Sequence, residues 1–310
     1  MPDKPIVRCC ICDTPLTPPY NLIGERAYCD FHYGQVNKPH TGFWQAGLAQ
    51  LIGMAAFAGV LWWLAPLIGP LEGWALIVFG IGLALIPSLL WLIFFYRQDR
   101  LEPEPKHKIG AVFFAGFVLI DPLQRWVIDG LFRLREWAPN DVVTSLLASM
   151  LILGICYQLA AYVAVRVIVY ATPEFDERMD GIVYGTVAGL GVATMLNLRF
   201  VLLNEGVAIG PGVVAIVTTA LAQASFSGLL GYWMAEARFV HRPIWWVPLG
   251  FAAAALLNGL FSWLIGEVSS AGMTVEPWRS LVLGLIVALA AFFVLIGLMR
   301  RSTLVTLRRT

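Results

Sequence analysis

Four residues near the amino terminus have the types and the spacing to hold a metal ion. The segment VRCCICDTPL…RAYCDFHY sets Cys9 and Cys12 with two residues between them and, after sixteen more residues, repeats that spacing with Cys29 and His32. Each x-x-spaced pair grips one ion from a tight turn, and three thiolates with one imidazole close a tetrahedron that suits Zn2+. Such a site has no open position for substrate, so its role is structural or partner-binding. Cys10 adjoins Cys9 and is an alternative first ligand. Four of the five cysteines precede residue 30, which points to a local site and away from a disulfide framework. A segment of ~40 residues with few large apolar side chains also lacks a core of its own, a further reason to expect a metal staple.

The rest of the chain has the composition of a membrane protein. It is 59% hydrophobic and 13% charged over 310 residues, with mean hydropathy +0.74, which excludes a soluble globular domain. Net charge +1 says little about partners, and no nucleic-acid partner is indicated. The opening MPDKPIVRCC has no apolar h-region, so no cleavable signal peptide is expected. Apolar runs at Phe43–Leu67, Gly73–Tyr96, Ile109–Phe132, Val142–Tyr170, Gly181–Leu203, Val213–Met234, Ile244–Val268 and Leu281–Met299 mostly meet the ~20 residues a crossing helix needs. The expected fold is therefore all-α, a polytopic bundle of about eight spans over 43–310, preceded by a small zinc-binding module over 1–42.

Basic residues orient the bundle. Fifteen Lys and Arg, among them Lys4, Arg8, Arg26, Lys38, Arg100, Arg178, Arg308 and Arg309, fall on the side of the termini, against Arg133, Arg135 and Arg279 on the other. The bias places both termini in the cytoplasm, where the thiols stay reduced. Trp62, Trp63, Trp74, Trp126, Trp137, Trp245 and Trp246 lie near span ends as an aromatic belt. Arg166 and Arg199 read as snorkelling side chains. The third run is interrupted by Asp121, Arg125 and Asp129 at i, i+4, i+8, a minus-plus-minus ladder read as lying on an interfacial helix or a helix end, the alternative being a functional polar track. The fifth carries Gly181, Gly185 and Gly189 on one face, a smooth strip for close helix approach.

The run EFDERMDGIVYGTVAGLGVATMLN, together with FFYRQDRLEPEP at Phe94 to Pro105, resembles the PrsW family of intramembrane proteases, within the wider CAAX-protease-like superfamily. The resemblance covers most of Trp91 to Trp263. It implies a polar cluster built from Glu-Glu-x-x-Lys on one span, the Glu of Glu-Asn on the next and one His on each of two later spans. Here those positions read Tyr157-Gln158-Leu159-Ala160-Ala161, Leu196-Asn197, Gln223 and Asn258. A carboxylate to activate water and imidazoles to bind metal or move protons are what in-membrane hydrolysis needs, and all six positions have lost them.

Replacing a whole buried charged set avoids the ~3–5 kcal/mol of leaving one charge unpaired. Tyr157, Gln158, Asn197, Gln223 and Asn258 are expected to bond one another as a neutral core. The sequence thus reads as a degenerate PrsW-like protein of a bacterial plasma membrane with no catalytic residues, in contact with membrane lipids. Its role is that of a scaffold, accessory subunit or regulator of a membrane-protein partner or client. One alternative is a protease with relocated acids drawn from Asp121, Asp129, Asp180, Glu205, Glu236 and Glu267. Against it, His32, His40, His107 and His241 all lie outside the proposed spans. A weaker alternative is a lipid or small-molecule carrier.

Overall fold

Apolar runs too long for a small globular core fold here as a helical bundle. The computed structural model describes residues 7–23, 26–37, 42–68, 73–99, 104–203, 211–270 and 277–308. A short antiparallel hairpin of β1 (Asn21–Ile23) and β2 (Arg26–Tyr28) pairs Asn21 with Tyr28 and Ile23 with Arg26, and leads into α1 (Asp30–Val36). The long helices follow: α2 (Phe43–Ile68), α3 (Gly73–Gln98) and α4 (Lys106–Pro122), the last continued by a wide π-helical stretch at Leu123–Leu131. After the short α5 (Leu134–Trp137), α6 (Val142–Ala148) runs through a second π-helical turn into α7 (Gly154–Ile168). Then come α8 (Arg178–Leu203), α9 (Pro211–Phe239), α10 (Trp246–Ser270) and α11 (Pro277–Arg308).

Among the described residues, eight helical segments are long and apolar enough to cross a membrane, so the chain is an all-α polytopic bundle. The third of them is continuous from Lys106 to Leu131, so the charged residues there sit within a helix that runs on past them. The π-helical winding accommodates Pro122, whose missing N–H breaks a regular ladder.

Helices α8 and α9 form the centre. Both are 83% buried over their apolar windows, whereas the other six reach at most 39%. Glycines explain the arrangement, because a methyl on Gly181, Gly185 or Gly189 would overlap the carbonyl of Gly231, Ser227 or Gln223 respectively. The small-residue face of α8 therefore lets the two backbones touch. A second close approach, Gly154 against Ala255 and Gly259 against Met150, joins the fourth span to α10. The belt tryptophans Trp62, Trp63, Trp74 and Trp126 are all more than 60% exposed, as lipid-facing residues must be.

Glu205, His40 and the basic Lys4, Lys38, Arg100 and Arg309 lie outside the described residues, as do the side chains of Glu267, Arg279 and Arg308.

Candidate functional site

Two places bring chemistry-bearing side chains together. At the amino terminus, Cys9 and Cys12 flank a turn in which the Asp13 N–H bonds the Cys9 carbonyl at 2.9 Å, with Asp13 at φ 55°. Cys29 ends the hairpin as the residue before α1, and His32 lies in the first turn of that helix. One ligand atom from each residue falls within 4.8 Å of all the others. Cys29 Sγ is 3.2 Å and Cys9 Sγ 3.6 Å from His32 Nδ1, and Cys12 Sγ is 3.9 Å from Cys29 Sγ. A tetrahedron with Zn–S arms of ~2.3 Å has S–S edges of about 3.8 Å, so the donor set is compatible with zinc. Cys10 is outside this group and its thiol bonds Tyr28. Burial disfavours a Cys9 thiolate, but hydrogen bonds from the backbone at Cys29, Cys12 and Ile11 outweigh it and bring that thiol down to about 6. The proton that a metal must displace is already loosely held there.

The second place is the polar core of the bundle. Gln223 on α9 and Asn258 on α10 exchange two amide hydrogen bonds: Gln223 Nε2 donates to Asn258 Oδ1 at 2.9 Å, and Asn258 Nδ2 donates to Gln223 Oε1 at 2.8 Å. One turn along α9, Ser227 Oγ donates to Gln158 Oε1 at 3.4 Å. All four side chains are at most 1% exposed. The other expected members bond elsewhere. Tyr157 donates its hydroxyl to Gln124 Oε1 at 3.3 Å, and Asn197 Nδ2 donates to the Ile216 carbonyl at 3.1 Å. Leu196 packs in the apolar cluster that contains Tyr157. The expected single network is thus a reciprocal amide pair with a neighbouring bond, flanked by two outliers. Tyr157 and Gln158 are consecutive on a helix and point about 100° apart, so one neutral cluster cannot take both.

Gln124 leads from Tyr157 to a charged track that sequence reasoning described only in part. Asp121 pairs with Arg125 at 2.9 Å as anticipated. Asp129 does not close that ladder: Arg135 meets it at 3.6 Å and Gln124 Nε2 at 3.5 Å. Arg199, read as snorkelling, turns inward and bridges Asp121 at 3.1 Å and Asp129 at 3.5 Å. Two half-buried carboxylates offer the guanidinium more than the headgroup region does, since charges in low dielectric persist only when paired. Arg166 lies over the Tyr170 ring at 4.3 Å and is exposed.

The opposite end of the bundle holds a cluster that the sequence reading did not assemble. Glu104, just before α4, is 5% exposed and accepts from the Tyr184 hydroxyl at 2.6 Å. Burial, countered by the Tyr184 bond and reinforced by Asp99, raises the Glu104 carboxyl to about 8. Asp180 Oδ2 accepts the backbone N–H groups of Asp176 and Glu177 at 2.7 and 2.6 Å, fixing the loop before α8. Glu236 is held by Arg178 at 3.3 Å and Arg242 at 2.6 Å. The signal in the sequence is the pair of segments FFYRQDRLEPEP and EFDERMDG; 80 positions separate Glu104 from Tyr184, so their meeting is a tertiary fact.

A family model described as PrsW family intramembrane metalloprotease matches residues 104–299, well over half of the chain. The chain is similar to the Protease PrsW of Bacillus subtilis (strain 168), 28% identical over 196 residues, covering 61% of this chain and 84% of that protein. It is likewise similar to the Protease PrsW of Geobacillus kaustophilus (strain HTA426), 28% identical over 191 residues, covering 60% and 79%. No solved structure matches significantly. The family description implies a metal in the membrane domain, and the polar core does not fit one. Its donors are amides, a hydroxyl and a phenol, where a catalytic metal takes imidazole, carboxylate or thiolate. Among the described residues, His107 opens α4, His241 follows α9 and His32 sits with the cysteines, so none enters that core. The framework is nonetheless matched from α4 through most of α11, and the chain belongs to the PrsW family of intramembrane metalloproteases.

Proposed function

We propose that this PrsW family protein is a pseudoprotease, an integral membrane scaffold, accessory subunit or regulator that binds a membrane-protein client without cleaving it. The observation that carries the reading is the reciprocal Gln223–Asn258 amide pair at 2.9 and 2.8 Å. These are the two positions where the resemblance puts imidazoles, and here the two amides bond each other, with Ser262 Oγ donating to Asn258 Oδ1 at 3.4 Å besides. With no group able to activate water, the core contributes packing specificity and leaves recognition as the remaining task. In the same reading, residues 1–42 form a cytoplasmic module around structural Zn2+ on Cys9, Cys12, Cys29 and His32, residues 43–310 form the membrane domain, and both termini face the cytoplasm of a bacterial cell.

A second reading is favoured by one specific contact chain. Tyr157 bonds Gln124, and Gln124 bonds Asp129, so a carboxylate stands two hydrogen bonds from the first family position, and the curated relatives are named proteases. Both Asp129 oxygens are engaged, Oδ1 by Gln124 and Arg135 and Oδ2 by Arg199, which leaves it a poor base. An in-membrane cleavage assay against single-span substrates decides between the two. The expected result is turnover no higher than in protein-free vesicles; turnover that disappears in Asp129→Ala or Asp121→Ala would overturn the proposal.

A further inference from the structure

Arg26 lies on β2, three residues before the ligand Cys29, and the hairpin is tied to the other ligand turn by the Cys10 N–H bonding the Ala27 carbonyl at 3.0 Å. From there its guanidinium reaches across 150 positions of sequence to the loop before α8. It pairs with Asp176 Oδ1 at 3.0 Å and with the Glu177 carboxylate, the Arg26 and Glu177 side chains being 17% and 4% exposed. The backbone N–H groups of these same two acids cap Asp180 in the first turn of α8. The loop is crowded with negative charge: Asp176 and Asp99 both push up the proton affinity of Glu104. Two neighbouring cations pair with other acids, Lys108 with Glu174 at 3.6 Å and Arg178 with Glu236 at 3.3 Å, and Arg238 donates to the Thr172 carbonyl at 3.2 Å. Withdrawing Arg26 removes a cation from between Asp176 and Glu177, and the repulsion among the acids gathered here would loosen the loop at the start of the central helix.

Whether Arg26 can be presented depends on the hairpin. Two three-residue strands cannot hold their shape unaided, and the Cys9/Cys12/Cys29/His32 cluster is the cross-link within reach. We infer that this cluster is a metal-dependent latch: bound Zn2+ rigidifies the hairpin, which holds Arg26 on Asp176 and Glu177, and loss of the ion frees the loop that caps α8. The inference rests on the zinc reading above and adds that occupancy is transmitted to the membrane domain. Because α8 lies against α9 through Gly181, Gly185 and Gly189, the latch acts on the pair of helices that carries Gln223.

Hydrogen exchange on the full-length protein in detergent tests it, read at the Asp176 and Glu177 amides, with zinc content measured on the same samples. Stripping zinc with a chelator is expected to speed exchange at these two amides about tenfold. In Arg26→Gln, zinc is expected to stay bound while exchange is fast with or without chelator, and Glu177→Gln, which keeps the arginine, should give an intermediate rate. Zinc removed with exchange at these amides unchanged would overturn the latch and leave the metal site standing as a local staple. Slow exchange in zinc-loaded Arg26→Gln would also overturn it. A native protein without zinc would remove the metal reading and the latch together.

Discussion

The amino-terminal cluster and the polar core differ in the kind of side chain that each brings together. The cluster has four side chains of metal-binding type, one ligand atom of each within 4.8 Å of the others, and only Cys9 among them is buried. The core has the buried, converging geometry of an active site and no ligand worth the name, with Gln158, Ser227, Gln223 and Asn258 at most 1% exposed and bonded to each other. The contrast teaches that the metal-binding side-chain types converge at the amino terminus, while the polar core is built from neutral amides and a hydroxyl. Neutral hydrogen bonds satisfy a buried polar core without the cost of unpaired charge, whereas a small segment with little buried apolar surface gains most from a metal cross-link.

Perturbations that strike one region and spare the other break or sharpen that comparison. The largest effect is expected from Gly185→Leu, which drives a side chain into the Ser227 carbonyl. Overpacking at a backbone contact costs about 3 kcal/mol or more, seen as a collapse of the thermal midpoint in detergent, while zinc content per folded chain stays constant. Next comes Glu104→Gln, between the two regions. The free carboxyl ionises near 4.5 and the folded one at about 8, so the folded chain holds the extra proton across that window and stability falls as pH rises through it. The variant should match the native protein near pH 5 and exceed it above pH 8 by roughly 3 kcal/mol. A native-minus-variant midpoint difference that stays flat from pH 5 to 9 would show that Glu104 is ionised throughout.

Gln223→Leu alone strands the Asn258 amide and is expected to cost about 1–3 kcal/mol; Gln223→Leu with Asn258→Leu should recover most of it. If the double variant is as unstable as the sum of the singles, the pair is not a closed unit. The smallest effect is expected for Tyr157→Phe, about 1 kcal/mol, because Gln124 keeps its second bond to Asp129.

How much of this was legible depends on the distance over which residues interact. The convergence of Cys9, Cys12, Cys29 and His32 was legible because side chains with two residues between them share a turn, and the fold brings Cys9 into that group in place of Cys10. The eight helices followed from run length, and the centrality of α8 from the period of its glycines. The Gln223 and Asn258 positions were found through resemblance, and their pairing agrees with the expected neutral core. Arg199 and Tyr157 were misplaced for one reason: their partners lie 78 and 33 positions away, on a helix whose π-helical winding rotates Gln124 and Asp129 out of a 3.6-residue register. The cluster of Glu104, Tyr184 and Asp180 was missed because each acid looks solvated at a span end, and only packing of α8 against the approach to α4 buries them.

The central proposal, that the amino-terminal cluster binds zinc and the polar core binds no metal, is tested most directly by counting zinc. The purified full-length protein should hold one zinc per chain, and the variant with Cys9, Cys12 and Cys29 changed to Ser and His32 to Ala should hold none. A metal ion retained by that variant would place ligands in the membrane domain and contradict the account, as would a native protein that binds no zinc.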